Sequence, residues 1–438
     1  MKIPYRPLLA ALTLLAALSG CKKTDLFDAE VYHKLLWESF PVSDFDHGHD
    51  WRVWSENSVS VTCQVEGAAS LSLLSKDPIR EEQAEVLAEV LLPANAQTGQ
   101  AWQLVGLEPK TAEQSYVAAF DADGRLLAVR KVSKGSAVAT LSGEDAPADG
   151  APYYPPRRQR VCYLFDGSFP QPGDWDYNDL VLTIDAPATV KPSATVSEEL
   201  AERQRVLHVT VRAVGTQQQI AAAIRLVGIR PEQVNSVVSD DYMGLGLQRN
   251  TDYPPTLLTG SEILLNSREN DQAVIALFDD AHLACNPTRM DNAQPYRYLY
   301  NVSHDMTDEL YHDIEVPEAD YVITFSSAQE ARTFSLSRID PFIIVDYNGA
   351  KWEIHDYPDR AEQTLHSYGT KDQDNFSTGV SWALSVPYAS FRHAVEGQPL
   401  GAADGPNAPG AYPDWAAWVQ DCNAALDWPL RPNESKVY

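Results

Sequence analysis

The feature that most constrains this chain is alternation. From Val59 onward, Val59, Val61, Cys63 and Val65 fall on one face of an extended backbone, which is the two-residue period of a strand with one buried side. Residues 116–120 and 125–129 repeat the pattern on either side of Asp121-Ala122-Asp123-Gly124, where Asp-Gly is a strong hairpin signal. Residues 180–184, 206–214, 263–265, 273–278, 320–326 and 342–345 read as further strands, and no long 3.6-residue periodicity competes with them. A short helix fits residues 29–39. Residues 81–92 have the Glu/Ala/Leu composition of a helix, yet Val86, Ala88, Val90 and Leu92 alternate, and the strand reading is preferred. The expected fold is all-β: a small N-terminal β-sandwich followed by a larger β-sandwich or jelly-roll-like region.

Composition narrows the function classes. The 438 residues are 44% hydrophobic, ample for a packed core, and the length suggests two or three domains. A Pro-, Ala- and Arg-rich stretch at 146–160 reads as a linker between a domain at 41–145 and a second at 161–438. Lys and Arg number 34 against 61 Asp and Glu, a net charge of −27. Such a surface repels phosphate backbones and argues against nucleic-acid partners. It suits cations, sugars or other proteins. Beyond the first 20 positions no apolar run is long enough to span a bilayer.

Those first positions have a separate logic. Lys2 and Arg6 precede an apolar run at 8–17 that is too short for a permanent membrane helix and reads as a secretory signal peptide. It ends in Leu18-Ser19-Gly20-Cys21, which resembles the lipobox of bacterial lipoproteins. The resemblance implies cleavage after residue 20, acylation of Cys21 and a tether with the short helix over 21–40. Several acyl chains on one cysteine exceed the two-signal threshold for stable membrane anchoring. The other cysteines, at 63, 162, 285 and 422, lie in no zinc spacing. Buried free thiols are the preferred reading, with three disulfide pairings open.

The strongest local site is Asp174-Trp175-Asp176-Tyr177-Asn178-Asp179. Three oxygen-bearing side chains at alternate positions suit Ca²⁺, which takes six to eight oxygen ligands. Asp179 stands where an EF-hand requires glycine, so a different calcium loop is expected, with Asp166 close enough in sequence to join it. The competing reading has these acids capping turns through backbone N–H groups. Asp44-Phe45-Asp46-His47-Gly48-His49-Asp50 offers imidazoles and carboxylates but matches no closed metal site, and it reads as a polar loop. The pairs Asp372/Asp374 and Glu353/His355 invite a hydrolase reading. No nucleophile elbow, zincin or P-loop motif accompanies them, and no catalysis is expected. Trp382, Trp415, Trp418 and Trp428 suit either a sugar-stacking platform or core packing, the latter preferred.

Taken in order, several of these residues resemble the LruC-domain family of bacterial cell-envelope lipoproteins. Gly173 to Val181 is similar to that family's G-D-x-D-x-N-D-[LV]-V run, with Asp166 and Gly167 where the family has Glu and Asp. Farther on, Asp340-Pro341-Phe342-Ile343, Glu353-Ile354-His355, Gly369-Thr370, Trp382-Ala383-Leu384, Ala411-Tyr412 with Trp418, and Asp427-Trp428 follow its C-terminal landmarks. Ser381 replaces a proline and Pro429 an aromatic. The resemblance implies a lipid-anchored all-β protein of the outer membrane or cell surface, without established catalytic residues. The leading expectation is an envelope binding or adhesion module that meets a surface protein or glycan and holds a structural Ca²⁺. The alternative is a glycan-handling protein, either lectin-like or a glycoside hydrolase.

Overall fold

A computed structural model describes residues 29–45, 48–94, 96, 99–169, 171–239, 264–266, 272–278, 280–285, 297–347, 350–356, 365–368 and 380–438. The signal peptide, Cys21, Asp46, His47, Asp372, Asp374 and Gly369-Thr370 lie outside these residues. The architecture is all-β, with sandwich-like sheets and short helices. Residues Ala29–Ser39 form the anticipated helix.

The smaller unit pairs two sheets. One orders the strands Ala101–Pro109, Trp54–Cys63 and Val138–Leu141. The other orders Leu126–Ser133, Gln114–Phe120, Ser70–Leu74, Glu85–Leu91 and Arg157–Arg158. Val59, Val61, Leu71, Leu73, Val90, Val117 and Leu141 meet in one apolar cluster, as the two-residue period requires. The ambiguous segment settles as the strand Glu85–Leu91, its branched residues packing against Ser70–Leu74. Gly124 closes the Asp-Gly turn at φ 81°, a conformation that glycine adopts without steric cost.

The larger unit also has two sheets. A seven-stranded sheet runs Val234–Ser239, Glu318–Phe325, Gln204–Ala213, Leu180–Asp185, Arg160–Phe165 and Ala383–Val386, with Ala188–Thr189 paired onto Gln204–Ala213. A six-stranded sheet runs Leu264–Asn266, Ala273–Phe278, Ala221–Leu226, Ile339–Tyr347, Ala350–His355 and Leu365–Tyr368. Leu182, Ile184, Val209 and Val211 from the first sheet share a core with Ile224, Ile275, Ile343 and Ile354 from the second. Alternate residues Ala221, Ala223, Phe342 and Ile344 form a separate cluster, so strands of this sheet bury apolar residues on two faces.

Packing and pairing cross the positions of the expected boundaries in two places. Leu36, Phe40, Val42, Trp51 and Val53 belong to the larger core, so these described residues pack with the C-terminal unit. The stretch 146–160 is not all linker: Arg157–Arg158 adds to the five-stranded sheet beside Glu85 and Val86. Trp382, Trp415, Trp418 and Trp428 are all buried and pack the core, which removes them from any exposed platform. Cys63, Cys162, Cys285 and Cys422 are free thiols. Burial pushes the Cys162 thiol up to about 12, which keeps it protonated and unreactive near neutral pH.

Leu182 lies fully buried in a strand paired on both sides. Leu182→Ala should cost about 2 to 5 kcal/mol. Urea unfolding reads this as a lower midpoint at unchanged slope; a cost within the range of a surface substitution would contradict the central placement of this strand.

Candidate metal centre

The acidic run sits in the loop between two adjacent antiparallel strands, Arg160–Phe165 and Leu180–Asp185. Its shape is set by its aromatic residues. Trp175 and Tyr177 have φ of 61° and 54°, the left-handed region that bulky side chains avoid unless their surroundings hold them there. Both rings are buried. Trp175 lies 5.0 Å from Phe40 and 4.9 Å from Trp382 between ring centroids, and the Tyr177 hydroxyl donates to the Ser381 carbonyl at 2.8 Å.

The intervening acids are held mainly by backbone donors. Asp176 Oδ1 accepts from the Asn178 N–H at 3.1 Å, while Oδ2 accepts from Asn178 Nδ2 at 2.9 Å and from the Gly397 N–H at 2.8 Å. Asp166 accepts from the Ser168 and Trp175 N–H groups, and Asp179 from the Gly167 N–H at 2.6 Å. Two glycines make room. A Cβ on Gly173 would lie 2.2 Å from Asp166 Oδ2, and one on Gly215 would lie 1.8 Å from Asn178 Oδ1.

The loop gathers a residue that sequence reasoning missed. Glu396 arrives on a C-terminal stretch tied down by Glu396 N–H to the Val302 carbonyl at 2.8 Å and Asn178 Nδ2 to the Ala394 carbonyl at 3.2 Å. Asp174, Asp176 and Glu396 each offer an oxygen, and these lie within 4.8 Å of one another. Among the described residues, this is the group of three or more Asp, Glu, His or Cys close enough to share an ion. Asp174 faces solvent, Glu396 is half-buried and Asp176 is buried.

Electrostatics make the cluster unusual. Burial, then repulsion from Asp174, pushes the Asp166 carboxyl up to about 7, and the same two causes push Glu396 up to about 8. Asp176 and Asp179 are driven well above the usual carboxylate range, first by burial and then by neighbouring acids. Asp174 is raised by the dense protein around it, although it keeps contact with solvent. The Glu396 Oε2 and Asn178 Oδ1 atoms are buried acceptors without a hydrogen-bond donor. All five residues expected at the site, Asp166, Asp174, Asp176, Asn178 and Asp179, therefore lie in one neighbourhood. Asp174 and Asp176 form its tightest group with Glu396, and Asp166 and Asp179 lie beside it, each raised by burial and by its acidic neighbours.

A family model for a domain of unknown function, DUF4842, matches residues 203–428. The chain belongs to the DUF4842 family. The DUF4842 match includes Glu396 but begins after the acidic loop, so the cluster joins matched and unmatched segments. Among solved structures the chain is similar to a candidate lipoprotein from Bacteroides ovatus. That likeness has 17% identity and a TM-score of 0.49, covering 85% of this chain and 99% of that one. It is also similar to the BSP domain of a biofilm-associated protein, at 7% identity and a TM-score of 0.18, over 70% of this chain and 51% of that one. No curated protein matches.

The other expected sites have different surroundings. His49 is buried and donates from Nε2 to the Trp418 carbonyl at 2.6 Å, while Asp50 pairs with Arg52 and Lys110. His355 meets Asp340 at Nδ1, 2.6 Å away, and Glu353 at Nε2, 3.0 Å away; Arg225 Nε approaches Asp340 at 2.9 Å. Both imidazole nitrogens are thus engaged by carboxylates, an arrangement that holds a charged ring. Burial alone would lower its pKa, but Asp340 and Glu353 outweigh burial and raise it to about 9.

A histidine with a folded pKa above its unfolded 6.5 contributes stability that is full below 6.5 and lost as pH rises through about 9. The loss is on the order of 3 kcal/mol at most. Denaturant titrations from pH 6 to 10 should show this decline in the parent and a smaller one in His355→Phe; equal declines would refute the charged-histidine assignment.

Proposed function

We propose that Asp174, Asp176 and Glu396 bind a divalent cation, calcium by the oxygen-only character of the donors, and that the ion fastens the acidic loop to the C-terminal stretch. The observation that carries this reading is the convergence of three carboxylates from two remote segments beside two buried acceptors that lack donors. Turn capping accounts for the N–H contacts of Asp166, Asp176 and Asp179. The Asn178 side chain also hydrogen-bonds Glu396, and an ion would add the positive charge that this contact does not supply.

The protein carrying this centre is, on our reading, a lipid-anchored module of the bacterial cell envelope that binds a surface protein or a glycan. Leu18-Ser19-Gly20-Cys21 after a short apolar run supports the anchor, and the ordered resemblance to LruC-domain proteins supports the location. No helix among the described residues is long and apolar enough to cross a membrane. An adhesive or binding role agrees with a strand-rich scaffold whose loops are pinned by core aromatics.

Extracellular calcium modules commonly bind at about 10⁻⁴ to 10⁻³ M. An ion bound by the folded state alone then adds about 1.4 kcal/mol when present at roughly ten times its Kd. Thermal melts in millimolar Ca²⁺ and in EDTA should differ for the parent and coincide for Asp176→Asn and Glu396→Gln. Identical parent melts would reject the centre. Fractionation of cells expressing Cys21→Ser should move the protein into the soluble fraction, and retention on membranes after a carbonate wash would reject the anchor.

A further inference from the structure

A cleft of about 1140 Å³ opens where the smaller sandwich meets the chain leaving it. Its floor is one face of the five-stranded sheet, where Ser70, Ser72, Glu89 and Phe120 share a side by register. Tyr153, Pro155, Pro156, Thr189 and Glu202 also line the cleft. We propose that this cleft binds a segment of a neutral glycan chain.

Size and place come first. The cleft exceeds the roughly 300 to 1,000 Å³ of pockets built for small molecules, and it is lined both by strands of the smaller sandwich and by residues within 189–202 beyond that sandwich. Charge then selects the ligand. Glu66, Glu89, Asp121, Glu198 and Glu202 face it against Arg158 and Lys191, a balance that disfavours anionic polymers and phosphate headgroups.

The polar groups are held in advance. Glu89 is fixed by Arg158 and by the Thr189 hydroxyl at 2.8 Å. Glu202 is paired with Arg332 at 2.8 Å, and that guanidinium lies 5.0 Å from the Trp102 ring centroid. Rigid, planar carboxylate and guanidinium groups can address adjacent hydroxyls in pairs, at little cost in side-chain ordering. Tyr153, 37% exposed, directly after Pro152 and near Pro155 and Pro156, supplies an aromatic face for the C–H side of a sugar ring.

A peptide fits less well. The floor consists of side chains on a sheet face, which offers no edge ladder for strand addition, and charged pairs interrupt the apolar surface that a docked helix needs. The cleft shares no residue with the cation centre, so the two readings stand or fall separately.

Calorimetric titration of the full chain with neutral hexasaccharides of glucose, mannose, xylose and N-acetylglucosamine, and with tryptic casein peptides, tests the proposal. At least one saccharide should bind. Tyr153→Ala and the plugging variant Ala68→Trp should each weaken it about tenfold or more. Val138→Ala, exposed and outside the cleft, should leave it unchanged, and thermal melts verify that each variant folds. Absence of saccharide binding, binding indifferent to both cleft variants, or binding of the peptides alone would overturn the proposal.

Discussion

Trp175 and Tyr177 are the fixed points on which the acidic loop depends. A left-handed conformation at a bulky residue costs on the order of 1 to 3 kcal/mol. Burying a large apolar side chain returns a similar amount, so two core aromatics can hold two strained positions. Asp176, between them, turns to the Asn178 and Gly397 N–H groups, and Gly173 and Gly215 leave space for Asp166 and Asn178 to close in. The core, rather than mutual attraction among the acids, determines where the carboxylates go.

That placement creates an electrostatic debt that the protein must settle locally. Carboxylates buried together raise one another's pKa, and near neutral pH they either hold protons or take up a cation. Backbone N–H groups of Gly167, Ser168, Trp175, Asn178 and Gly397 offset part of the burden. The Glu396 Oε2 and Asn178 Oδ1 acceptors have no donor among the described residues. The divalent ion we propose would answer both the charge and the missing partners.

Much of this was legible from local pattern. Alternation located the strands because each buries one face, and even Glu85–Leu91, composed like a helix, followed its branched residues into a sheet. The spacing of Asp174, Asp176 and Asn178 showed in the sequence because the loop is contiguous. Glu396 did not, since its place depends on a tertiary contact: Gly397 donates to Asp176 across 221 positions, and nothing around Val395-Glu396-Gly397 marks it as ligand-bearing. The boundary near residue 41 was obscured for a similar reason. Trp51 and Val53 precede a strand of the smaller sandwich but bury their side chains in the larger core, a choice that periodicity does not encode.

The proposed cation centre matters because of what it would hold. Between the strand Ala383–Val386 and the chain end, regular structure is limited to the helix Trp415–Gln420 and a single 3₁₀ turn, so no long ladder fixes this region. Its attachment to the loop comes as separate contacts: Asn178 to Ala394, Gly397 to Asp176 and Leu400 to the Trp175 carbonyl at 2.8 Å. Each hydrogen bond contributes about 1 kcal/mol net, and the ties act together because one loop supplies them all. An ion bridging Asp176 and Glu396 would join that set at its centre. Even millimolar affinity would then suffice, since the ion has only to hold closed a contact that the buried indoles of Trp175 and Trp415 already favour.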